Sequence, residues 1–117
     1  MADAFLNGPG GNNAPELAWK NEAVTSSFAE QLVNMDLTRC KGIFVTFLAA
    51  ASGSTYAASG FIPVDGLPYS MSYITSGGKV LRRSVSASGD GVMFTEGTSD
   101  SSASNTSMVP YEIYIIK

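Results

Sequence analysis

From residue 16 onward apolar and polar positions alternate with a period of two, the pattern of half-buried strands. Leu17 and Trp19 fall on one face of a first short strand. Thr25-Ser26-Ser27 reads as a turn, and Phe28-Ala29-Glu30-Gln31 as a single helical turn capped by Ser26 or Ser27. Val33, Met35 and Leu37 then alternate with Asn34 and Asp36. Gly42 to Ala51 holds the apolar run Ile43-Phe44-Val45-Thr46-Phe47-Leu48, whose β-branched and aromatic content predicts a central strand buried on both faces. A buried helix competes there, favoured locally by Ala49-Ala50-Ala51 and opposed by Gly53.

Ala58 to Val64 predicts another strand, stopped by Pro63 and the Asp65-Gly66 turn. Tyr69, Met71 and Tyr73 alternate with Ser70 and Ser72, and Leu81, Val85 and Ala87 continue the pattern after Gly77-Gly78. Two adjacent glycines between such runs predict a tight hairpin with positive φ angles. Asp90-Gly91 precedes Val92-Met93-Phe94-Thr95, which completes a three-stranded meander. Residues 97–107 form a serine-rich loop expected to stay clear of any core. Val109, Tyr111, Ile113 and Ile115 alternate in the last strand, and Ile115-Ile116 breaks the alternation, which suggests a central or interfacial position.

A chain of 117 residues predicts one domain. At this size about two-thirds of the unfolded surface can be buried, enough for one core. The expected architecture is an all-β antiparallel sandwich, jelly-roll-like, of seven to eight short strands spanning residues 16–117. Before it, residues 1–15 carry Asn7-Gly8-Pro9-Gly10-Gly11-Asn12-Asn13-Ala14-Pro15 and read as an extended arm. Phe5 and Leu6 are its candidate anchors on a neighbouring surface.

Charge and cysteine usage remove several functions. Net charge is −3 and Arg82-Arg83 is the one basic cluster, too little to neutralise a phosphate backbone, so no nucleic acid is expected as partner. No apolar run approaches the roughly 18–20 residues that span a bilayer, and the first residues lack a signal-peptide pattern. Cys40 is the single cysteine and histidine is absent, which excludes an internal disulfide and the usual Cys/His zinc sites. Cys40 reads as a small apolar residue at a strand edge, with a reactive or intermolecular thiol as the alternative. Asn105-Thr106-Ser107 matches a glycosylation sequon and reads as loop chemistry.

Without histidine, a Ser-His-Asp triad and a Cys-His pair are unavailable. No nucleophile elbow, phosphate loop or dinucleotide fingerprint occurs. The acids are scattered, with Asp65 and Asp90 in turn positions before glycine, and Asp100 is a weak Ca²⁺ candidate only. The expectation is a non-enzyme with no cofactor. Aromatic residues are the remaining candidates: Trp19, Tyr56, Tyr69, Tyr73, Tyr111 and Tyr114 could stack on sugar rings or anchor a protein interface. The plainer reading makes most of them strand core.

Leu17-Ala18-Trp19-Lys20-Asn21, Thr25-Ser26-Ser27-Phe28-Ala29-Glu30-Gln31, Leu37 and Gly42-Ile43-Phe44-Val45-Thr46-Phe47 together resemble a β module of tailed-bacteriophage and prophage virion proteins. The ending Val109-Pro110-Tyr111-Glu112-Ile113-Tyr114-Ile115-Ile116-Lys117 is similar to the Pro-x-x-Ile-Tyr-Gly-Ile-Lys that closes such proteins, with Ile115 where the family often has glycine. Members usually carry the module at the end of long tail or fibre proteins, whereas only a short arm precedes it here. The resemblance implies a virion structural protein, decorating the capsid or attached to the tail or fibre. Its expected partners are copies of itself, a trimer by the fibre context, and other virion proteins. Its expected location is the particle, assembled in the host bacterial cytoplasm. The competing expectation is a carbohydrate-binding or host-adhesion module, for which a row of solvent-facing aromatics is the discriminating feature.

Overall fold

The computed structural model describes residues 14–117 as two antiparallel sheets packed face to face, a β-sandwich. The expected fold class holds, with eleven strands among the described residues rather than seven to eight. The difference comes from short pieces: β4 (Tyr56–Ala58), β5 (Ile62–Pro63), β9 (Thr98–Ser99) and β10 (Ser102–Ala103). The domain's first strand, β1 (Glu16–Lys20), starts where expected. The proposed arm and its anchors Phe5 and Leu6 lie outside the described residues, apart from Ala14 and Pro15.

Sheet A runs β1, β11 (Ser107–Ile116), β3 (Gly42–Ala50), β4, with β5 also paired to β3. The single predicted strand over residues 58–64 is thus two pieces. Ser59 divides them: its N–H donates to the Val45 carbonyl at 2.8 Å while its hydroxyl accepts the Val45 N–H at 2.9 Å. Sheet B is built on β7 (Val80–Ser88), which pairs with β6 (Tyr69–Ile74), β8 (Gly91–Phe94) and β9. β2 (Gln31–Asn34) closes one side on β8, and β10 the other on β9. The expected meander is β6-β7-β8. Its first connection is a loop over residues 75–79, closed by Gly78 N–H to Thr75 O at 2.9 Å, and of the two glycines Gly78 alone has positive φ (87°).

The helical turn expected at Phe28 to Gln31 is absent. Phe28 is instead drawn inward, 7% exposed, and its ring meets Trp19 and Phe94 edge-on with centroids 6.1 and 5.5 Å away. Burying that ring in an aromatic cluster outweighs the weak local preference of a lone capped turn. Between the sheets the core is Val45, Phe47, Val85, Val92, Phe94, Ile113 and their neighbours. The outward positions of β3 are less enclosed than expected, since Phe44 and Thr46 are only half-buried.

The largest fully buried side chain is Arg83, 1% exposed, on the inward face of β7 with Leu81, Val85 and Ala87. Among the described residues no carboxylate forms a salt bridge with it. Its Nε donates to Met108 O (2.8 Å), Nη1 to Phe28 O (2.9 Å) and Thr95 O (2.7 Å), and Nη2 to Asn105 O (3.3 Å) and Ser107 O (3.0 Å). Every N–H of the fork is used on a main-chain carbonyl, which is how a buried guanidinium is made tolerable. Burial pushes it down to about 10, opposed by the nearby charge of Glu96, so it stays cationic at neutral pH. The guanidinium also lies 5.5 Å from the Phe28 ring centroid.

This corrects the expectation that residues 97–107 are remote from the core. Their chain folds as the β9–β10 hairpin, turning through Asp100 (φ 49°) and Ser101 (φ 72°), then brings its carbonyls to Arg83. Space there depends on Gly97, where a Cβ would collide with the carbonyl oxygens of Ser104 and Ser107 and with Arg83 Nη2.

Candidate functional site

The outward face of sheet A is where exposed aromatic and polar chemistry gather. Register places its side chains in rows across the strands. Leu17 of β1, Tyr114 of β11 and Phe44 of β3 form one row, and Lys20, Glu112, Thr46 and Ala58 form the next; Tyr56 pairs with Leu48, which like its β11 partner Val109 is fully buried in the core. A bulge in β11 between Pro110 and Glu112 adds Tyr111 without a partner on β3, and so sets its ring beside Glu112.

At one end the face is apolar. Leu17 is 52% and Phe61 49% exposed, and the Phe61 ring stands edge-on to Phe44 with centroids 6.2 Å apart. Phe61 can lie over the sheet because Gly42 has no Cβ, and one built there would strike the ring. Ile116 pairs with Gly42 at the same end.

At the other end Thr46, Tyr56, Ala57, Ala58, Tyr111 and Glu112 line an open cleft of about 500 Å³. The rings of Tyr56 and Tyr111 are 5.4 Å apart, tilted by 42°, and Tyr56 is 55% exposed. Lys20 Nζ lies 5.6 Å from the Tyr111 centroid. The polar row forms the side of the cleft that faces the apolar end. Glu112 Oε1 accepts hydrogen bonds from Thr46 Oγ1 (3.2 Å) and Tyr114 Oη (3.1 Å), which fix the carboxylate. Its Oε2 makes no hydrogen bond among the described residues. Donating to Glu112 holds the Tyr114 hydroxyl above its ordinary pKa, against a small opposing effect of the Lys20 charge.

The six aromatic candidates divide. Tyr56, Tyr111 and Tyr114 share this outward face. Trp19 is half-buried in the inner aromatic cluster. Tyr69 and Tyr73 also pack against the core, and Tyr69 donates its hydroxyl to Asp65 at 2.7 Å. Cys40 is half-buried against the core with a free thiol. Asp100 accepts the Val80 N–H at 2.9 Å, a structural use. Among the described residues no group of three His, Cys, Asp or Glu side chains is placed to hold a metal.

Sequence reasoning missed Lys20, Thr46, Phe61 and Glu112. Thr46 and Glu112 were readable as outward members of alternating strands, but nothing local showed that their strands pair. Comparison of this chain with family models, with curated proteins and with solved structures returns no match.

Proposed function

We propose that this chain is a non-enzymatic structural protein of a bacteriophage virion, decorating the capsid or attached to the tail or fibre. It self-associates through the apolar end of the outward face of sheet A. The observation that carries this reading is the patch of Leu17, Phe44, Phe61 and Ile116. The sandwich already closes its core between the sheets, so half-exposed Leu17 and Phe61 on the far side of sheet A are surplus to folding. An adjoining exposed set of this kind marks a contact surface. The virion assignment is supported by the resemblance of the two ends of the domain to phage modules. Trimeric assembly is supported by their fibre context.

Sedimentation velocity at micromolar concentration tests the association. The intact chain should run as a trimer, and Leu17→Ser with Phe61→Ser should run as a monomer with an unchanged melting midpoint. A monomeric intact chain sinks the proposal. Electron microscopy of purified particles tests the location, with density for this domain expected on the capsid or tail.

A further inference from the structure

We infer that the cleft lined by Tyr56, Tyr111 and Glu112 is a binding site for a neutral pyranose residue, with Tyr56 as stacking platform and Glu112 as hydroxyl acceptor. The inference is independent of the virion reading, because the cleft lining shares no residue with the apolar patch of Leu17, Phe44, Phe61 and Ile116.

Three observations carry it. The cleft volume of about 500 Å³ falls within the range of roughly 300–1,000 Å³ typical of small-ligand sites. Its aromatic walls suit a ligand with an apolar face, since the C–H face of a sugar ring lies flat on an exposed tyrosine while the hydroxyls point outward. The polar group beside those walls is a carboxylate fixed by two donors with one oxygen still open, placed to accept ring hydroxyls.

The same features disfavour other ligands. The cleft floor is sheet interior, where the main-chain groups of β3 are already paired with β11 and β4, so an extended peptide finds no ladder there. β4 leaves an edge of only three residues for strand addition. A uronic or sialic acid would bring its carboxylate against that of Glu112. Lys20 faces Tyr111 and supplies a further donor at the rim.

Amide and saturation-transfer NMR on the full chain provide the test. The probes are methyl α-glucoside, methyl β-galactoside, methyl α-mannoside and N-acetylglucosamine, with glucuronate as the acidic comparison. At least one neutral sugar should shift Tyr56, Tyr111 and Glu112 signals saturably in the millimolar range, and glucuronate should bind about tenfold more weakly. Tyr56→Ala should weaken the neutral sugar about tenfold. Glu112→Gln should weaken it less and remove the discrimination against glucuronate. Both variants should keep the parent's melting midpoint, and Leu17→Ser with Phe61→Ser should bind normally. No shift with any neutral sugar, or binding indifferent to both Tyr56→Ala and Glu112→Gln, overturns the inference.

Discussion

Arg83 and Glu112 are both ionised groups on sheet strands, and the molecule treats them in opposite ways. Arg83 lies between the sheets with every donor used on main-chain carbonyls, those of Phe28, Thr95, Asn105, Ser107 and Met108. Glu112 lies outside, with one oxygen occupied and the other open. A saturated buried charge has nothing left to offer a ligand, and its role is to fasten the chain. A fixed charge with spare capacity at the surface is free to recognise something. Residual hydrogen-bonding capacity, more than charge, separates the part that builds from the part that binds.

The contrast breaks most sharply at Arg83. Arg83→Ala strips the side-chain donors from its buried acceptors, of which Asn105 O keeps the Phe28 N–H, and the expected loss is roughly 3 kcal/mol or more, at about 1–3 kcal/mol per buried group left unsatisfied. Against a total stability of about 5–15 kcal/mol such a variant should melt far below the parent or fail to accumulate. Arg83→Lys brings fewer donors and no planar fork, so it should recover only a minor part. Parent-like urea denaturation of Arg83→Lys would falsify the fastening role. Gly97→Ala comes next: its Cβ intrudes on the same carbonyls, and about 1–3 kcal/mol should be lost. Combined with Arg83→Lys, the loss should be less than additive, because both changes damage one network.

On the outward face, Glu112→Gln should change unfolding free energy by less than about 0.5 kcal/mol, as expected for a surface position. A loss comparable to that at Gly97 would mean that Glu112 also fastens, and the comparison would collapse. The smallest effect concerns a carboxylate in neither region. The Tyr69 hydroxyl and then the Leu67 N–H hold the exposed Asp65 carboxyl below its usual range. A depressed folded-state pKa stabilises above the ordinary carboxylate pKa and ceases to do so as pH falls through the lowered value. Asp65→Asn should therefore melt slightly below the parent at neutral pH, with the gap closing in acid. A gap that persists unchanged at low pH would assign it to geometry instead of ionisation.

Strand existence was legible because alternation of apolar side chains follows from one face being wet. β6, β7 and β11 stand close to where period two put them, and β3 where its continuous apolar run did. Arg83 shows both the reach and the limit of that reasoning. The alternation Leu81, Arg83, Val85, Ala87 points it inward, yet as a charged residue it was counted only with Arg82, as a basic cluster. Its partners are main-chain carbonyls, which no side-chain pattern reports. The 97–107 segment was misread for the same reason, since its serines carry no apolar signal while its backbone carries the contact. Of the site, Tyr56, Tyr111 and Tyr114 were legible as aromatics. Their shared face, and the separation of Trp19, Tyr69 and Tyr73 from them, depends on strand pairing and on the β11 bulge.

The place of β11 has a bearing on how the domain is made. It lies between β1 and β3, and Asn21 Nδ2 donates to Pro110 O across 89 positions of sequence. Synthesis must therefore pass residue 116 before sheet A can close, and until then β1 lacks its β11 partner and β3 is paired only with β4 and β5. Pairings between distant parts of a chain form late and slowly. A ribosome-bound or truncated chain lacking these last residues is left with a half-built sheet and an open core, a form that chaperones hold and proteases remove.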